Sequence, residues 1–244
     1  MSAGSPSAGA EPVDAGAAKL RVDIWSDVVC PWCYLGIHRF LQALDELGWS
    51  PAGPGADGSP LEPDPGLTVR LHAYELDPRA PLEPQPLRPV LERKYGDGAF
   101  DAMTERLTRL GDDAGIDYRF EQTQRVNTRA AHRLLAGATD ADPALALPLA
   151  RALFEAYFTH GRNVADADTL VEVATGIGLD PDRARASLTD DVTLEAVEAD
   201  EAAGRDLGIT GVPAFVVQRE LVIPGAQDVD TFVRILSKVR DRTP

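Results

Sequence analysis

The sequence predicts an α/β fold in which both ends of the chain build one mixed four-stranded sheet around a long helical stretch. Three observations predict it: a strand–helix–strand pattern near the start, about 120 residues of successive helical periodicity, and two β-rich runs with a final helix at the end. At 244 residues the chain is long enough to bury a sizeable core.

Residues 20–26, LRVDIWS, alternate with β-branched and aromatic side chains and read as the first strand. From Pro31 to about Leu47, Leu35, Phe40, Leu41, Leu44 and Leu47 fall at helical spacing. Pro31 suits the first helical position, where its missing N–H has no intrahelical partner to lose. Residues 50–66, SPAGPGADGSPLEPDPG, are rich in Pro and Gly and read as a mobile loop. LTVRLHAY (67–74) is the second strand, parallel to the first through a right-handed crossover. After ELDPRAPLEPQPLRP, helices are expected at about 88–95, 98–114, 128–138, 143–160, 167–177, 181–188 and 191–206. Spacings such as Phe100, Met103, Leu107 and Leu110 support them, and no strand is expected between 98 and 206. Strand character returns at 208–226, with Ala214–Gln218 and Leu221–Ile223 flanking a tight turn at Arg219–Glu220. A helix from Val229 to about Arg240 closes the chain.

This divides the chain into a disordered tail (1–18), a βαβ part (19–78), an all-helical insertion (79–206) packed as one layer on the sheet, and a ββα part (207–244). The net charge of −15 argues against a nucleic-acid partner, because phosphate binding needs clustered Lys and Arg. Its acidic residues follow helix faces, as in 190–206, and read as a solvated surface. No apolar run approaches the roughly 18 residues of a membrane span. The first 20 residues lack the basic-then-apolar order of a signal peptide, so a cytoplasmic location is expected.

Cysteine occurs twice in the chain, as Cys30 and Cys33. A structural disulfide framework uses more cysteines, and a structural zinc site needs about four ligands. The four histidines show no ligand spacing near the pair. A dithiol that cycles between thiol and disulfide is the reading left, with no metal, nucleotide or other cofactor expected. Exchange needs one thiolate that attacks and a second thiol that resolves the mixed disulfide. Cys30 falls at the helix N-terminus, where unpaired N–H groups and the helix dipole favour an anion, so its pKa is expected below the free-thiol value of about 8.5. Cys33, one turn inward, is the resolver. Asp27, three residues before Cys30, is read as a helix cap or a solvated loop residue, with proton transfer as the sharper alternative. His38 lies roughly 12 Å beyond Cys30 along the helix and reads as a surface residue. Asn127, before Thr128, is a natural helix N-cap. Trp32 either lines a substrate surface or covers core.

SDVVCPWCYLG (26–36), AYELDP (73–78), NTRAAH (127–132), LFEAYF (153–158), TGVPAF (210–215) and PGAQ (224–227) resemble the FrnE-type oxidoreductases of the DsbA family, within the thioredoxin-fold superfamily. The resemblance runs from about Leu20 to Arg240. It implies a cis bond at Val212–Pro213 beside the dithiol, with Val212 presenting backbone groups to a substrate and Pro213 helping to seat it. It also places the segment of Asn127 and His132 near the active site, so that both join Trp32 as expected substrate-binding residues. The implied partners are disulfide-containing proteins or small-molecule thiols, glutathione among them. The chain is also similar to 2-hydroxychromene-2-carboxylate isomerases and kappa-class glutathione transferases, where Ser commonly takes the first Cys position; this chain keeps both cysteines. A third reading is a holdase that uses the helical insertion to cover apolar clients.

Overall fold

Strand β1 (Leu20–Ser26) lies inside a four-stranded sheet whose order is β2 (Leu67–Ala73), β1, β5 (Ala214–Val217) and β6 (Leu221–Pro224), as the chain order predicts. The computed structural model describes residues 20–51, 64 and 66–242. The expected tail and most of the expected Pro/Gly loop lie outside them. β2 (Leu67–Ala73) runs parallel to β1, with Leu20 opposite Leu67 and Ser26 opposite Ala73. β5 (Ala214–Val217) and β6 (Leu221–Pro224) add antiparallel on the other side.

The β5–β6 turn is centred one residue earlier than expected, on Gln218 and Arg219, both with positive φ (53° and 60°). Glu220 N–H closes it onto the Val217 carbonyl at 3.1 Å. This handedness matches the twist of a hairpin but strains side chains other than Gly and Asn. Arg219→Gly is therefore expected to raise stability by about 0.5–1 kcal/mol, read as a higher denaturation midpoint. An unchanged or lower midpoint counts against a strained turn.

Helix α1 (Pro31–Glu46) starts at Cys30 and buries Cys33, Leu35, Ile37, Phe40, Leu41 and Leu44. It stops at Gly48, whose φ of 67° lets the Trp49 N–H return to the Leu44 carbonyl at 2.9 Å. Phe40 meets Phe215 of β5 and Phe232 of α9 (Val229–Arg240) with ring centroids 5.3 and 5.7 Å apart, so α1 and α9 cover one face of the sheet. On its other side α1 meets the insertion, where Tyr34 stacks on Phe154 at 5.1 Å.

The insertion comprises α2 (Leu87–Tyr95), α3 (Ala99–Ala114), α4 (Arg129–Ala141), α5 (Ala146–Phe158), α6 (Ala167–Gly176), α7 (Pro181–Ser187) and α8 (Asp191–Asp206). Each matches an expected helical segment closely. Two expectations are corrected. Residues 79–206 are not all helical: β3 (Gln85–Pro86) pairs antiparallel with β4 (Gln124–Arg125), which lies inside the stretch where no strand was expected. A two-residue ladder between residues about 40 apart carries no periodicity to read. Nor is the helical layer single. α8 crosses the opposite face of the sheet, where Trp25, Ile209, Ala214 and Val216 form a second apolar patch. The Trp25 indole donates to the Asp200 carbonyl at 2.9 Å, and Gly204 gives its ring room. Runs such as AFVV, apolar at every position, mark strands covered on both faces.

On the α8 face the sheet buries charge. Asp23 takes Arg21 at 2.6 and 2.7 Å and His72 Nε2 at 2.8 Å, while His72 Nδ1 reaches Asp200 at 2.6 Å. Burial works against charge on His72, but its hydrogen bonds to Asp200 and Asp23 prevail and raise its pKa to about 9.

Candidate active site

The β1–α1 loop delivers the dithiol to the end of the sheet. Cys30 holds the N-cap position in extended conformation (φ −91°, ψ 112°), and its carbonyl accepts the N–H groups of Cys33 and Tyr34 at 3.0 and 3.2 Å. Its own N–H donates to the Asp27 carbonyl at 3.0 Å. Both cysteines are free thiols. Cys30 keeps 4% exposure and Cys33 none, so the outer sulfur is Cys30. Burial pushes the Cys33 thiol well up, and the adjoining Cys30 adds to this, while hydrogen bonds from the Asp27 backbone and Ser26 partly offset it.

The sheet brings its second chain end to the same place. Val212–Pro213 is cis, and the Cys30 thiol lies 3.7 Å from the Val212 carbonyl as donor. Pro213 packs over Gly36 of α1, where a Cβ would come within 2.9 Å of its ring. That close approach is why the helix carries glycine there.

The insertion braces the dithiol in two places. Tyr118 donates its hydroxyl to the Pro31 carbonyl, between the two cysteines, at 2.7 Å. Its ring fits only because α3 has Gly111: a Cβ there would meet Tyr118 at 2.4 Å. Sequence reasoning missed Tyr118, for no motif joins positions 87 residues apart, although a glycine inside a helical pattern was a visible signal. Asp27 is the second brace and a correction. It neither caps α1 nor faces solvent: fully buried, it accepts the Leu76 N–H at 2.8 Å and faces His132 Nε2 at 3.3 Å.

His132 thus reaches the dithiol loop through Asp27, and at 3% exposure it lies beneath the loop rather than on its surface. Asn127 caps α4 from one residue before its N-cap Thr128, accepting the Arg129 N–H at 3.0 Å, and its own N–H donates to the Pro81 carbonyl. Its hydrogen bonds run to Pro78, Pro81 and Arg129 and to neither cysteine. Trp32 is half-buried, with the Arg106 guanidinium over its ring at 5.3 Å. His38, expected at the surface, is half-buried; burial lowers its pKa, and its Nε2 has no hydrogen-bond partner among the described residues. Packing of α3 against α1 covers it, which no property of α1 alone announces.

Among the described residues no cluster of His, Cys, Asp or Glu gathers as a metal site, and no helix is long and apolar enough to cross a membrane. The sequence pattern of the DSBA-like thioredoxin domain matches residues 21–237. The chain belongs to that family. This DSBA-like chain is similar to a probable DsbA oxidoreductase from Streptomyces coelicolor, with 35% identity, 92% of each chain covered and a TM-score of 0.77. It shares its fold with the cytosolic disulfide reductase DsbM from Pseudomonas aeruginosa (18% identity, 89% of this chain and 97% of that one, TM-score 0.60). A 2-hydroxychromene-2-carboxylate isomerase shares it too (17% identity, 91% and 95%, TM-score 0.58). The mixed sheet with its helical insertion is therefore the DsbA-like form of the thioredoxin fold.

Proposed function

We propose that this chain is a FrnE-like thiol–disulfide oxidoreductase that exchanges disulfides with protein or small-molecule substrates in the cytoplasm. The observation that carries the reading is the pairing of a sealed thiol, Cys33, with an outer thiol, Cys30, at a helix N-terminus beside the Val212 carbonyl. The Cys30 thiolate attacks a substrate disulfide, forming a Cys30–substrate disulfide and releasing the other half as a thiolate, which takes up a proton. Cys33 then gives up its proton and attacks the Cys30 sulfur. This releases the second substrate thiol and leaves a Cys30–Cys33 disulfide. The reverse sequence oxidises a substrate dithiol. Val212 and Pro213 seat the substrate chain, and the half-buried Trp32, between the two cysteines, adds an aromatic surface to it. Asn127 and His132 act from behind, by fixing the start of α4 and the buried Asp27.

Glutathione separates this reading from its rival. A redox dithiol incubated with glutathione disulfide converts to an intramolecular disulfide with loss of two hydrogens and appearance of reduced glutathione. The equilibrium position then gives the direction of use: near −270 mV for a thioredoxin-like reductant, near −120 mV for a DsbA-like oxidant. Isomerisation of an added substrate with glutathione left unoxidised, and both cysteines still free, would establish the isomerase reading instead.

A further inference from the structure

The order β2-β1-β5-β6 leaves β2 at the edge of the sheet, and a cleft of about 520 Å³ runs along it. Five consecutive residues of β2, Thr68 to His72, line this cleft. Successive side chains of a strand point to opposite faces, so a cleft touching all five meets the strand's edge, where its backbone groups lie. In a parallel pair alternate residues bond the neighbouring strand. Leu20 N–H donates to the Gly66 carbonyl at 2.8 Å and Tyr74 N–H to the Ser26 carbonyl at 3.1 Å. Residues 68, 70 and 72 therefore share this inward parity, and Val69 and Leu71 turn their N–H and C=O groups toward the cleft.

The two ends of that edge are closed. Leu67 N–H donates to the Asp64 carbonyl at 2.9 Å, and Ala73 N–H donates to the Asp200 carboxylate at 3.0 Å. Between them, Val69 and Leu71 receive no hydrogen bond from outside the sheet among the described residues. Between the bulkier Leu135, Pro143 and Phe154, the walls carry small side chains, Ala136, Ala146 and Ala150 on one side and Ala196 on the other. Of the charged residues along the cleft, Asp200 is engaged by His72 and the Ala73 N–H and Asp140 is exposed on α4, while Arg70 is exposed along the edge and forms no ion pair among the described residues. One end of the cleft is formed by Ser26 and Val28, which flank Asp27 in the loop that carries Cys30.

We infer that the free edge of β2 receives an extended segment of the polypeptide whose disulfide the dithiol exchanges, as a fifth strand. This rests on the redox reading above and names its substrate class. Main-chain N–H and C=O groups select a polypeptide rather than a small thiol, and five strand residues span ~16 Å, the length of a short added strand. The alanine walls admit small apolar side chains at alternate positions. Arg70 complements an acidic residue among them.

The probe is a roughly ten-residue peptide of alternating threonine and valine with one glutamate, in a cystine-linked form for turnover and a fluorescein-labelled, cysteine-free form for anisotropy. Val69→Pro removes an outward N–H and leaves the ladder to β1 intact; Ala196→Trp fills the cleft from an exposed helix position. Both variants are expected to lower kcat/KM for the cystine-linked peptide at least about 10-fold while glutathione disulfide turnover stays within about twofold. Both should also abolish the anisotropy change. Peptide turnover and binding that survive both variants overturn the inference. So does a concentration-dependent dimer, dispersed by Val69→Pro, in a protein that binds no peptide, since the edge then pairs with a second copy. If the unaltered protein exchanges neither disulfide, the redox reading fails, and the anisotropy still decides whether the edge takes a strand.

Discussion

Cys33→Ser is expected to hold a disulfide substrate covalently on Cys30, whereas Cys30→Ser forms no adduct at all. The asymmetry follows from where α1 begins. Cys30 is its N-cap, on the outer side of the loop and against the Val212 carbonyl, so an incoming disulfide meets that sulfur first. Cys33 has no exposed surface, and burial holds its proton on more firmly than in a free thiol. It reacts only with a disulfide already placed on its neighbour. Each substitution should lower exchange by at least about 100-fold, because the step it removes has no substitute nucleophile. They should differ in what accumulates. Non-reducing gels and intact mass of each variant after incubation with a disulfide substrate read this directly. For Cys33→Ser the expected species is one substrate moiety per chain, released by an external reductant. Adducts on Cys30→Ser with none on Cys33→Ser would reverse the roles. Full activity in both variants would remove the dithiol from the chemistry and favour the isomerase or holdase reading.

Much of this site is legible in the sequence because its signals are local. Two cysteines three apart after a strand, with a proline suited to the first position of a helix, place the dithiol at a helix N-terminus. Helical periodicity from Phe100 to Leu110, or through α5, needs only short windows. What was not legible depends on pairs distant in the chain. Tyr118 and Pro31 meet because Gly111 lets a ring lie against α3. Asp27 reads as a cap because Asp is among the residues preferred at helix N-termini. In the fold the loop turns its carboxylate inward, where the Leu76 N–H and His132 await it. The same limit hid the position of α8: VDIW and AFVV contain apolar residues for both faces, but nothing in them says which helix supplies the second cover.

The charge cluster under α8 is where loss of one polar side chain should cost substantial stability, and His72→Ala is the variant expected to show it. His72 sits between two carboxylates, Asp23 with a nearly sealed side chain and Asp200 on α8, and it stacks on Trp25 at 4.3 Å. Burial alone would raise the Asp23 pKa, yet hydrogen bonds from His72 and Arg21 hold it far below the usual carboxylate range. Removing the imidazole leaves a buried carboxylate with Arg21 as its remaining cation and deletes the tie from the sheet to α8. Breaking such a pair is expected to cost about 3 kcal/mol, at the low end of the usual range because Arg21 stays. The pH dependence has a definite sign. The His72 pKa is raised to about 9 in the folded protein, above the unfolded value near 6.5. Its charge therefore contributes fully below about pH 6.5, and the contribution is lost as pH rises through about 9. Asp23 acts oppositely: its folded pKa is depressed, so its contribution is present above the unfolded value near 3.9 and is lost as pH falls below it. Denaturant unfolding of both proteins from pH 5 to pH 10 should show a gap of about 3 kcal/mol at neutral and mildly acidic pH that narrows toward pH 10. A gap that stays constant across that range would mean that His72 stabilises by packing on Trp25 and not by its charge.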